Sequence, residues 1–140
     1  MGTLSAVEIK AFIPAKDFEF SKRFYRDLGF AMQSDAGGVA YFSFGHCSFL
    51  LQNYYVQSFA EHLQMHLLVE DVRAWWSQVT AADLANKYGV RLNPLVEQPW
   101  GMTDFSILDP SGVCWRIGQN TSGFVPIGRV DPVDPVDSTS

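Results

Sequence analysis

The order of local signals along this chain occurs twice, and that repetition limits the fold more than any other feature. Val7 to Ile13 is a short β-rich run that stops at Pro14, and Asp17 then offers its carboxylate as a helix N-cap. Phe20, Phe24 and Leu28 recur at four-residue spacing with Tyr25 beside them, and Gly29 ends the stripe where a left-handed cap is wanted. Strand-like runs follow at Ala31 to Asp35, Val39 to Phe44 and Cys47 to Gln52, divided by Gly37-Gly38 and Gly45-His46 as hairpin turns. Asn53 to Leu63 is polar and aromatic without clear periodicity and reads as a loop. The order then restarts with a strand at Gln64 to Val69. Asp71 caps a helix to about Lys87, with Val72, Trp75, Trp76 and Val79 on its apolar side. Leu95 to Gln98, Asp104 to Leu108 and Val113 to Gln119 complete the set. The chain is βαβββ twice over, at a period of roughly sixty residues.

Alternation along the strands assigns their faces. Glu8, Lys10 and Phe12 share one face of the first strand, and Val7, Ile9, Ala11 and Ile13 the other. Gln64, His66 and Leu68 alternate with Met65, Leu67 and Val69, and Cys114 and Arg116 alternate with Val113, Trp115 and Ile117. Each strand therefore has one apolar face to lay on a helix. The mixed faces are expected to lie together on the side away from the helices. The expected fold is α+β: two βαβββ modules, about 5–53 and 64–120, forming a cupped mixed sheet with helices on the outer face. The cup would be lined by Lys10, Gln64, His66 and Arg116 with Phe12 and Leu68.

Composition narrows the function. A chain of 140 residues supports one such domain, expected over residues 1–124. Beyond it, 125–140 carries an Asp-Pro-Val repeat whose regular prolines keep it extended, a solvated tail with a partner-binding motif as the alternative. Ten basic against fifteen acidic residues, with no basic run, exclude phosphate-backbone recognition and so a nucleic-acid partner. A mildly acidic surface weakly favours a cationic small molecule. Aromatics reach 14% and include four Trp and eleven Phe, enough to fill a core and leave some for stacking on a flat ligand. No basic segment followed by an apolar stretch stands at Met1 to Ser5, and no run is long enough for a membrane span. Cys47 and Cys114 form no CxxC pair, so buried, reduced thiols in a cytoplasmic protein are expected.

Two segments carry a family resemblance: Phe24-Tyr25-Arg26-Asp27-Leu28-Gly29-Phe30, and Glu97-Gln98-Pro99-Trp100-Gly101 followed by Ser106 to Arg116 around Asp109-Pro110-Ser111-Gly112. The second resembles the closing hairpin of bleomycin-resistance proteins, within the glyoxalase and extradiol-dioxygenase superfamily with its vicinal oxygen chelate fold. The resemblance spans about Val7 to Asn120. It implies that four positions which hold metal ligands in the enzymes are filled here by Lys10, Gln52, Gln64 and Arg116. Two permanent cations repel a divalent metal and donate no lone pair at neutral pH, so no metal and no cofactor are expected. The resemblance further implies a homodimer with ligand clefts built from both subunits. It points to non-catalytic binding: sequestration of a bleomycin-type antibiotic. The alternatives are a binder of another anionic or aromatic metabolite or antibiotic, and a metal-free isomerase or lyase using Lys10 and His66.

Each notable residue has a second reading. Trp100 is either an aromatic plate at the cup mouth or a loop anchor in a dimer interface. Trp75 and Trp76 are adjacent on a helix, so one is expected in the core and the other exposed. His62 and His66 are four apart, but a strand separates such positions by about 13 Å, too far for one ion. Cys114 is expected as a structural thiol, and Asp109 to Gly112 as a turn. Lys10 and Arg116 either contact ligand, with Phe12, Gln52, Gln64, His66 and Trp100, or merely satisfy carboxylates nearby.

Overall fold

Asp17 and Asp71 start the two long helices as their spacing predicts, accepting from the backbone N–H of Phe20 and Ala74 at 3.1 Å each. The computed structural model describes residues 2–121. The first module holds β1 (Phe12–Pro14), α1 (Phe18–Leu28), β2 (Ala31–Ala36), β3 (Val39–Phe44) and β4 (Cys47–Gln52). After α2 (Gln57–His62), the second holds β5 (Gln64–Leu68), α3 (Val72–Ala81), α4 (Leu84–Tyr88), β6 (Leu92–Gln98), β7 (Met102–Leu108) and β8 (Cys114–Asn120). The domain boundary expected near Phe124 and the Asp-Pro-Val tail lie outside the described residues.

The modules build two four-stranded mixed sheets of the same plan, β1-β4-β3-β2 and β5-β8-β7-β6. In each, the first pair is parallel and the other two antiparallel. Their apolar faces share one core. Ala40, Phe42, Phe49 and Leu51 supply it from one sheet, and Phe105, Ile107, Trp115 and Ile117 from the other. Phe24, Tyr25 and Leu28 of α1 and Val72 and Val79 of α3 fill the same cluster. Trp115 joins the halves, its ring 5.3 Å from Phe49 and 5.6 Å from Tyr25.

A buried polar chain crosses the same seam. The Trp115 indole donates to the Tyr25 hydroxyl at 2.8 Å, and that hydroxyl donates to Asp109 Oδ2 at 2.5 Å. Asp109 Oδ1 accepts from the backbone N–H of Ser111 and Val113 at 2.8 and 2.9 Å. Ser111 Oγ in turn accepts from the Lys16 N–H. The Asp109 turn is thus the latch of the second module on the first. Burial pushes the Asp109 carboxyl up to about 6, against the pull of its donors, and raises the Tyr25 hydroxyl well above its usual value.

Several expectations are corrected. Pairing in the first strand begins at Phe12, not Val7: the chain leaves the sheet beyond Ala11, whose carbonyl still accepts from Leu50 N–H. Val7 and Ile9 find no surface to cover and stay exposed, so β propensity alone does not hold them in a strand. The Asn53 to Leu63 loop contains α2, which buries only Ala60 among its residues and so shows no apolar stripe. The helix expected to reach Lys87 stops at Ala81, where Asp83 takes a left-handed conformation with φ 53° and α4 starts anew. Trp75 and Trp76 both pack at the edge of the core, against Phe44 at 4.9 Å and Phe105 at 5.2 Å. Cys47 is exposed rather than buried. Among the described residues no helix is long and apolar enough to cross a membrane.

Candidate functional site

The face of each sheet turned away from the shared core is open, and register decides what stands on it. On the second sheet Gln64 lies opposite Cys114 and His66 opposite Arg116. Ser106 is opposite Arg116 and Asp104 opposite Gly118 on β7, and Val96 and Gln98 continue the face on β6. Arg116 is therefore on the side away from the helices, as alternation predicts. These strands form a cleft of about 540 Å³ walled by Gln64, His66, Gln98, Trp100, Asp104 and Arg116, with Met102 beneath. Trp100 sits in the β6–β7 turn at its rim, 39% exposed, and Gly101 with φ 83° makes that turn possible.

Asp104 is the buried polar centre of this face. Its side chain is 2% exposed; Arg116 donates to Oδ2 at 3.3 Å and the Gln98 amide donates to Oδ1 at 3.0 Å. The carboxylate offsets the guanidinium charge, while Arg116 stays 40% exposed and keeps N–H groups free to reach into the cleft. Gly118 makes room for this packing. A Cβ there would lie 2.8 Å from Met102 Sδ and 3.2 Å from Asp104 Cβ. Gly118→Ala is expected to destabilise the domain by about 1–2 kcal/mol through overpacking, read as a lower urea midpoint with an unchanged slope.

The first sheet keeps its own residues. Lys10 Nζ pairs with Glu8 Oε1 at 2.9 Å and stands 5.2 Å above the Tyr41 ring. Phe12 is half exposed and lies opposite Leu50. Phe12 stands five residues before the capping Asp17 and His66 five before Asp71, and their partners across the parallel pair are Leu50 and Arg116; by this count the counterpart of Arg116 on β4 is Leu50, and Gln52 lies two residues further along the same face. A second cleft, of about 480 Å³, is lined by Glu8, Gln33, Tyr41, Ser43, His46 and Ser48. Gln64, His66, Trp100 and Arg116 come together on the second sheet, while Phe12 and Gln52 stand on the first sheet and Lys10 on the arm that precedes it. Both cations are paired with carboxylates, the bland reading of each.

The donor set does not fit a divalent metal. Among the described residues no three His, Cys, Asp or Glu side chains converge, and the ammonium and guanidinium groups at the expected positions have no lone pair to give. Burial raises the Cys114 thiol above its usual value, so it is a poor nucleophile. His62 Nδ1 is engaged with the Ser58 carbonyl, 2.6 Å away, and His66 stays exposed on its strand. Asp104 and Gln98 escape a reading by sequence because their partner Arg116 stands on another strand. The available signal was alternation, which sets Asp104, Ser106 and Leu108 on one face.

A sequence profile described as the Glyoxalase/Bleomycin resistance protein/Dioxygenase superfamily matches residues 7–117. Among curated proteins no sequence matches. Three solved structures illustrate the likeness. The bleomycin resistance determinant encoded on the transposon Tn5 superimposes with a TM-score of 0.69 at 21% identity, over 82% of this chain and 98% of that one. The bleomycin-binding protein from bleomycin-producing Streptomyces verticillus, complexed with copper(II)-bleomycin, gives 0.69 at 22%, over 86% and 99%. Lactoylglutathione lyase from Agrobacterium tumefaciens gives 0.62 at 19%, over 86% and 100%. At these identities the likeness is one of fold, shared by drug-binding proteins and an enzyme alike.

Proposed function

Because this chain belongs to the Glyoxalase/Bleomycin resistance protein/Dioxygenase superfamily, we propose that it binds an antibiotic of the bleomycin type and acts by sequestration, without chemistry. The observation that carries this reading is the second-sheet cleft, where an exposed indole stands beside amide and guanidinium donors whose charge Asp104 already offsets. A planar ring stacks on Trp100, and carbonyls of the drug accept from Gln64 and Arg116. A bare Arg116 would repel a cationic drug; the paired one does not. The enzyme alternative loses support because its acid–base pair is split: Lys10 is bound to Glu8 in the first module and His66 stands in the second.

The proposed unit is a homodimer in a cytoplasmic setting, with each cleft completed by a second copy. Leu68, Val96 and Trp100 of the second sheet and its β6–β7 turn are between 39% and 51% exposed, and Phe12 on the first sheet is half exposed, apolar positions that a second copy would cover. The test is protection of DNA. One equivalent of protein per drug should stop bleomycin from cutting plasmid DNA, with cutting restored once drug exceeds sites. Undiminished cutting at a severalfold excess of protein would refute sequestration.

A further inference from the structure

We infer that the molecule carries a further small-molecule site, for an aromatic ammonium ion, where α3 passes the β3–β4 hairpin at the seam between the modules. The core is incomplete there. Phe44 shares its strand face with Phe42, yet Phe42 is fully buried and Phe44 is 45% exposed. The residues opposite are too small to cover it. Ala74 offers one methyl group, and Gly29 offers nothing where a Cβ would touch the Phe44 ring at 3.7 Å. What remains is a hollow of about 280 Å³ walled by Leu28, Gly29, Phe44, Ala74, Trp75 and Gln78. The Phe44 and Trp75 rings, 4.9 Å apart, form its aromatic wall.

The wall of Phe44, Ala74 and Trp75 continues into an adjoining hollow of about 350 Å³ that Glu70 and Asp71 border. Charge decides which ligand the two hollows take. Asp71 caps α3, but among the described residues neither carboxylate enters an ion pair. Arg26 and Arg73 are near in sequence yet line neither hollow, and Arg26 is directed to Met32 Sδ at 3.5 Å. At the far end α1 terminates at Leu28 and Gly29, presenting the negative end of its dipole. An anion meets repulsion at both ends. An ammonium ion gains at both, and the phenyl and indole rings between them attract it as well as the apolar body that carries it. No residue of the second-sheet cleft lines either hollow, so the site stands whether or not the sequestration reading does.

The test titrates 2-phenylethylammonium into the full chain by calorimetry, with 2-phenylethanol as the neutral control and phenylacetate as the anionic one. The ammonium ion should bind saturably and about fivefold more tightly than the alcohol, with phenylacetate weakest. Ala74→Leu should fill the first hollow and weaken ammonium and alcohol alike, by about tenfold. Ala74 is exposed, so the larger side chain leaves the core untouched. Glu70→Gln, also at an exposed position, should cancel most of the preference for the ammonium while the alcohol binds as before. Trp100→Ala should change neither affinity, which separates this site from the second-sheet cleft. Equal affinities for ammonium and alcohol in the original protein, unchanged ammonium binding in Ala74→Leu, or its loss in Trp100→Ala would each overturn the site.

Discussion

Asp109→Ala should cost the domain about 3–5 kcal/mol, because it orphans buried donors that have no other partner. The Tyr25 hydroxyl and the N–H groups of Ser111 and Val113 all give their bonds to this carboxylate, which is 2% exposed. The loss falls on the seam between modules, where Trp115 donates to the same tyrosine. A domain of this size has about 5–15 kcal/mol in hand, so the variant should unfold at a much lower urea concentration or fail to accumulate. A midpoint within error of the original would remove the latch from the account.

The same group has a pH signature. Its carboxyl titrates at about 6 in the fold against an ordinary value of 3.8, so the folded state holds the proton more tightly than the unfolded one. Its contribution to stability is therefore present in full below about pH 4 and is lost as pH rises to 6, a change of about 3 kcal/mol. Glu8 and Asp27 have lowered values and work in the opposite direction, with stability lost as pH falls. The difference between the original protein and Asp109→Asn isolates the contribution of this carboxyl. It should narrow from pH 4 to 6, and a constant difference would contradict it.

Trp100→Ala should weaken drug binding tenfold to a hundredfold while leaving the urea midpoint nearly unchanged. The side chain is 39% exposed at the tip of a turn, so little of the fold depends on it. A stacked indole that becomes covered by ligand is the kind of contact that dominates a small-molecule or protein interface, and a tenfold loss corresponds to about 1.4 kcal/mol. A loss of folding together with binding would return Trp100 to its other reading, a loop anchor.

Local chemistry was legible in the sequence where one residue type decides a backbone event. Asp17, Asp71 and Gly29 mark helix ends, and β3 and β4 fall where alternation between glycine turns places them. The α2 helix was not legible, since Ala60 alone anchors it, nor was the break at Asp83, whose left-handed conformation an aspartate adopts without advertising it. Alternation also assigned Arg116 to the open face correctly. What it could not supply is which open faces meet. That depends on the Tyr25, Trp115 and Asp109 contacts, which turn both apolar faces to one core and leave the Lys10 and Arg116 sides apart. The carboxylates that neutralise those two cations were hidden for the same reason, because pairing across strands is not written in local order.

The most direct test of the binding site is intrinsic tryptophan fluorescence during titration with bleomycin, comparing the original protein with Trp100→Ala. Saturable quenching at no more than one drug per chain is expected in the original protein, with most of that signal absent in the variant. No change at tens of micromolar drug, or identical quenching in both proteins, would contradict a bleomycin site on the second sheet.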